Sequence, residues 1–207
     1  PGQLERVFTD DETVKGLRLS WILTSANAGE QKQYVATVSH DQEPLAVPQF
    51  RFEDVPDTYL DCLFGGRPVY RYVYEFDPDR FSDTYKPFHH VYDFDGTTFI
   101  TKGPGGGDSH HRGMFIGWSQ VKVEDKTFDL WSMSDRSYQK HVKFLDHCTS
   151  VGPVIARRVA IVDWMNPTGE PIVRERRETV VYEQPDGKRL FDTRFQIETL
   201  VGQIEMP

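Results

Sequence analysis

Four of the seven histidines stand as two adjacent pairs, His89/His90 and His110/His111, in the stretch between Lys86 and Trp118. Imidazole is the side chain most readily poised for proton transfer near neutral pH, and it is the commonest metal ligand. Asp108 and Arg112 flank the second pair. A carboxylate there can orient an imidazole, and a guanidinium can grip a carboxylate or ring hydroxyl with fixed fork geometry. The run Gly103-Pro104-Gly105-Gly106-Gly107 precedes them and is expected to be a permissive loop that lets backbone approach a ligand. It delivers the histidines to the start of an apolar stretch, Gly113–Trp118, read as a strand. Polar groups at a strand mouth beneath such a loop are a common place for a scaffold-held site.

Other side chains join the candidates. The first histidine pair follows Lys86-Pro87-Phe88, where Pro87 stiffens the approach and favours extended backbone. On a strand His89 and His90 point to opposite faces, so at most one can face a given pocket. His141 and His147 are six apart, which on a regular strand places them about 20 Å apart, too far to share an ion. Glu175 and Glu178 also face opposite ways, and the inward one is a candidate acid or base. Trp118, Trp131 and Trp164 are either core or a stacking platform for a sugar ring. The glycine loop lacks a following Gly-Lys-Ser/Thr and leads into a strand pattern, which argues against a phosphate-binding loop.

The elements that must position these residues read as strands. Period-2 alternation, aromatic and β-branched richness and frequent Gly/Pro/Asp punctuation predict an all-β fold, a two-sheet antiparallel β-sandwich. Long strands are expected at Val154–Met165 and Ile172–Glu183, joined by a turn at Asn166-Pro167-Thr168-Gly169. In the second of them Arg174, Arg176 and Glu178 share a face directed away from the core. Further strands are expected at Leu17–Thr24, Tyr34–Ser39, Val47–Glu53, Arg67–Phe76, Val91–Asp95, Phe99–Lys102, Gly113–Val123, Lys126–Ser132, Gln139–Ser150 and Lys188–Leu200. A turn is expected at Gln184-Pro185-Asp186-Gly187. The segment Asp77–Tyr85 reads as a loop or one helical turn. With no linker visible, residues 1–207 read as one β-sandwich domain, incomplete at its C-terminal end. A secreted or periplasmic location with the signal peptide removed is compatible with this reading.

Composition narrows the partners. Lys and Arg total 24 against 32 Asp and Glu, a net charge of −8, which argues against nucleic acid. No apolar run reaches the roughly 18 residues of a membrane helix, and mean hydropathy is −0.56. Cys62 and Cys148 fit no CxxC pattern, leaving two thiols or one long-range disulfide.

At Lys86-Pro87-Phe88-His89-His90, Asp95-Gly96, Asp108-Ser109-His110-His111-Arg112-Gly113 and Phe128-Asp129-Leu130-Trp131 the chain resembles a bacterial family of unknown function labelled PmoA-like. His141 and the Asp163-Trp164…Glu175–Thr179 region extend the resemblance. The pattern of that family carries one more histidine and a proline before the His-His pair, and this chain lacks both. The methane-oxygenase label implies a membrane subunit and is set aside. A fainter resemblance, at His111-Arg112-Gly113, is to the galactose mutarotase-like superfamily. It implies a supersandwich fold and action on sugars.

Three readings follow. In the first, a sugar or sugar derivative is processed by general acid/base chemistry. His110 or His111 moves a proton, Glu175 is the partner base, and Lys86, His89, Arg112, His141 and Trp118 bind substrate; no cofactor is required. In the second, a divalent metal is held by His89, His110, His111 and Asp108. In the third, the domain binds carbohydrate without catalysis.

Overall fold

The computed structural model describes residues 2–9, 12–23, 25–37, 46–183 and 188–206. In chain order the strands are β1 (Gly2–Phe8), β2 (Val14–Trp21), β3 (Phe50–Val55), β4 (Tyr59–Phe64), β5 (Arg67–Val73), β6 (Phe88–Val91), β7 (Val121–Val123) and β8 (Lys126–Phe128). They continue with β9 (Tyr138–Phe144), β10 (Ser150–Val151), β11 (Ile155–Met165), β12 (Pro171–Tyr182), β13 (Leu190–Thr199) and β14 (Ile204–Glu205). A 3-10 turn at Pro78–Arg80 and a single helical turn, α1 (Phe81–Thr84), interrupt them.

One large antiparallel sheet runs β10-β11-β12-β13, with β9 also on β11. It forms one layer. Opposite it lie a four-stranded sheet, β3-β4-β5-β6, and a three-stranded sheet, β14-β7-β8. Leu60, Tyr70 and Tyr72 of the four-stranded sheet pack against Ala156, Ala160 and Val181 of the large one. Val121, Phe128 and Leu130 pack on Trp164, Ile172 and Val173 at the other end of the same face. Trp164 is fully enclosed; burying an indole contributes roughly 4–6 kcal/mol by area. The all-β antiparallel sandwich is the fold expected from the alternation.

Strand β12 shows why alternation was informative. Glu175, Arg177, Thr179 and Val181 are buried, while Arg174 and Arg176 on the opposite face are only partly so. Glu178 is nevertheless covered, because the β1–β2 hairpin lies over part of that outer face. Gln3 Oε1 accepts from the backbone N–H of Val154 and Ile155 at 3.1 and 2.9 Å.

Several sequence expectations need correction. Residues 34–37 form no strand, and residues 38–39 and the expected 184–187 turn lie outside the described residues. Strands β1, β4 and β14 were missed, β6 ends where the strand expected at 91–95 begins, and the strand expected at 99–102 is reduced to an isolated bridge between Tyr92 and Phe99. The expected strand Gly113–Val123 is regular only at its end, β7. Its middle is held instead by contacts that a ladder does not make: Gln139 Nε2 donates to Ile116 O at 2.8 Å, and Leu130 N to Trp118 O at 2.9 Å. Cys62 and Cys148 are both free thiols.

Candidate functional site

The glycine loop ends at a fixed point. Gly113 has φ +40, and a Cβ there would lie 2.1 Å from His89 O. Only glycine lets the two backbones close to a bridge, in which Met114 N donates to His89 O at 2.9 Å and His89 N to Met114 O at 3.0 Å. Both histidine pairs are thereby tied to one seam.

Beside that seam Lys86 is buried, 1% exposed. Its Nζ donates to Trp131 O at 2.7 Å and sits 3.4 Å from the centre of the Phe115 ring. Burial, then the positive charge of Arg112, pulls its pKa down to about 6. The amine is therefore largely neutral at pH 7, as expected for a lysine desolvated by aromatic walls. Arg112 is equally enclosed. Its Nε donates to Ser109 O at 3.0 Å, Nη1 to Asp83 O at 2.6 Å and Nη2 to Ser82 O at 2.7 Å, and it lies over the Tyr85 ring. Arg112 thus ties the histidine loop to the carbonyl end of α1, where a cation is favoured.

Beside these two side chains is an open depression of about 370 Å³, lined by Arg112 and walled by Trp131, Phe115, Met114, Lys102 and His111. Trp131 is presented by a loop built around Asp129, which accepts from the backbone N–H of Trp131 at 3.1 Å and of Ser132 at 2.9 Å. Met133 and Arg136 in the same loop hold positive φ of 59° and 69°. Strained backbone of this kind persists where surrounding contacts fix it.

At the rim Asp108, His110 and His111 converge, with one potential ligand atom from each within 4.8 Å of the others. The two imidazole rings are 4.1 Å apart, and His111 meets Trp131 edge-on at 6.1 Å. Partial burial, then His111 and Lys86, holds the His110 imidazole below its ordinary pKa, against the opposing pull of Asp108 and Asp129. A neutral imidazole at pH 7 can accept a proton or bind a metal without first losing one.

The remaining sequence candidates are elsewhere. His89 points into the sandwich, its Nε2 3.3 Å from Thr179 Oγ1 and its ring 4.7 Å from that of Tyr72. Burial, then Arg177, drives its pKa down to about 3. His90 faces the other way, stacked on Phe99 at 4.1 Å, as strand alternation requires. His141 packs among Tyr72, Tyr74 and Phe144, with a pKa pulled to about 4 by burial and then by Arg177 and Arg158. Glu175 is fully enclosed. One oxygen takes Trp164 Nε1 at 2.9 Å, and both take the Arg177 fork at 2.5 and 2.9 Å. The carboxylate beside the surface histidines is Asp108. Trp118 rests on Trp164 in the core rather than on the depression. Phe115 and Trp131 carry the aromatic wall. Trp131 is among the tryptophans expected to be core or a stacking platform, whereas for Phe115 the only hint was its proximity in sequence to the His-His-Arg-Gly motif.

A family model described as a family of unknown function, DUF6807, matches residues 59–207, which contain every one of these side chains. No curated protein and no solved structure matches the chain. Among the described residues no helix is long and apolar enough to cross a membrane.

Proposed function

Since the chain belongs to DUF6807, a family of unknown function, we propose its activity from the site itself: a sugar-directed enzyme working by histidine acid/base chemistry at the Trp131–His111 depression. The observation that carries this reading is that His111 and two aromatic rings, Phe115 and Trp131, wall the same depression, with Asp108 and His110 alongside. A sugar ring can stack its apolar face on indole while an imidazole reaches its hydroxyls or anomeric oxygen. His111 is the group placed to exchange the proton, with His110 and Asp108 as partners. Arg112 lines the depression, and Lys86 supports its aromatic wall from behind Phe115 and Trp131. The faint mutarotase-like resemblance supports the substrate class, and the resemblance to the PmoA-like family adds no chemistry.

A screen of mono- and disaccharides by tryptophan fluorescence and product analysis tests it. Trp131→Ala should abolish binding, whereas His111→Ala should retain binding and lose turnover. Absence of any sugar response in the wild type would sink the reading.

A second reading is favoured by the convergence of Asp108, His110 and His111. Two imidazoles and a carboxylate suit zinc, iron or manganese and leave positions open for substrate. The donors would have to draw in slightly, since two ligands of one such ion lie no more than about 4.2 Å apart. His89 is not among them. Elemental mass spectrometry of the purified protein decides: near one equivalent of metal, lost in His110→Ala and His111→Ala, would replace acid/base catalysis with metal chemistry.

A further inference from the structure

Between the β1–β2 hairpin and the outer face of the large sheet lies a second cleft, of about 250 Å³ and continuous with a neighbouring one of about 470 Å³ through shared walls. Six cations line the first: Arg6, Lys15, Arg18, Arg157, Arg176 and Arg194. Among the described residues two carboxylates, Glu5 and Glu178, stand against them, and Asp192 lines the neighbouring cleft. That sign is opposite to the chain's net charge of −8.

The carboxylates organise the cleft rather than neutralise it. Glu5, buried under the hairpin, pairs with Arg157 at 3.1 Å and Arg18 at 3.3 Å. Glu178 pairs with Arg157 and, at 3.3 Å, with Arg176. Three guanidinium groups are thus held by two carboxylates. Among the described residues no ion pair joins Arg6, Lys15 or Arg194 to a carboxylate, and Arg194 lies directly opposite Glu178 in the β12–β13 register. Cations gathered in a recess with low-dielectric walls focus positive potential there, and pre-positioned guanidinium forks match tetrahedral oxyanions.

We propose that this cleft is a binding site for a multivalent oxyanion, a phosphate or sulfate group, separate from the histidine depression. The excess of positive charge selects a divalent group over a monovalent carboxylate. The adjoining space leaves room for whatever the group is attached to.

Isothermal titration calorimetry at fixed ionic strength and pH 7 tests this, with inorganic sulfate, inorganic phosphate, glucose 6-phosphate and acetate as probes. Saturable binding of about one equivalent is expected for the divalent probes, at least about tenfold tighter than for acetate. The Lys15→Ala/Arg194→Ala variant should weaken it by about tenfold or more. Both residues are exposed, so the variant should keep the wild-type circular dichroism spectrum. Lys126→Ala, an exposed cation on β8, should change nothing. Tighter binding of the ester than of the free ions identifies a phosphorylated carrier as the ligand; equal binding identifies the free anion. Acetate binding as well as sulfate, or an unchanged affinity in Lys15→Ala/Arg194→Ala, overturns the proposal.

Discussion

The Nζ of Lys86 stands 3.4 Å from the centre of the Phe115 ring, in a site where no ion pair reaches it among the described residues. Its charge is met by aromatic faces, the carbonyl of Trp131 and, without a direct contact, the Asp129 carboxylate, too little to offset burial and Arg112. Folding therefore favours the neutral amine, and the consequence is measurable.

Lys86 titrates near 6 in the fold and near 10.4 in an unfolded chain. Between those values the unfolded state binds more protons, so stability rises with pH across that window, by at most about 1.4 kcal/mol per unit. His89 and His141, lowered to about 3 and about 4, act in a separate window: their contribution is intact above pH 6.5 and is lost as the pH falls through 6.5 towards 3. Thermal melts from pH 4 to 9 should show both slopes. Lys86→Met should flatten the alkaline slope and leave the acidic one; an unaltered alkaline slope would mean that the amine is charged in the fold.

Glu175 and Arg177 form a buried bidentate pair, and Arg177 Nη1 also donates to Pro87 O at 3.0 Å, directly after Lys86. Glu175→Gln leaves the guanidinium without its counter-charge and should cost about 3–5 kcal/mol, read from urea midpoints. If stability falls by less than about 1 kcal/mol, the pair does not have the structural role assigned to it.

Gly113 and Gly105 make a controlled comparison. Both have positive φ, but a Cβ at Gly105 meets nothing within 4 Å whereas one at Gly113 collides with His89 O. Gly105→Ala should cost about 1 kcal/mol from the backbone alone. Gly113→Ala should cost more than about 3 kcal/mol, because the bridge to His89 must open. Equal losses in chemical denaturation would contradict the close approach.

The two indoles should separate function from folding. Trp118→Ala removes a partly buried ring packed on Trp164 and should destabilise by about 1–3 kcal/mol. Trp131→Ala should leave the melting temperature within a few degrees and abolish sugar-induced fluorescence change. The opposite pattern would move the binding surface away from the depression.

Proton NMR of the imidazole Hε1 signals provides a test independent of turnover. The His110 midpoint should lie below that of an unperturbed histidine and move up in His111→Ala, since the neighbouring ring helps to depress it. Asp108→Asn should move it further down.

Alternation along the chain determined the sandwich, the opposite facing of His89 and His90, and the outward set of Arg174 and Arg176, because a two-residue period is a local property of extended backbone. The His-His-Arg-Gly motif likewise marked the loop where Asp108, His110 and His111 converge. What each charged side chain meets was settled only by tertiary packing. Arg112 and Lys86 have the composition of substrate-binding cations, yet the α1 carbonyls and the Phe115 and Trp131 walls enclose them. Glu175 faces inward as alternation allowed, but whether an inward carboxylate opens on a pocket or on Arg177 depends on the sheet laid across it. Trp131 and Trp118 look alike along the chain. Both end partly buried, but the Asp129 turn sets one on the wall of the depression, and the other packs against Trp164 at the edge of the core. Nor does any local pattern gather Arg18 of β2 with Arg157 and Arg194: that cleft exists because the hairpin folds over the outer face of a sheet formed more than a hundred residues later.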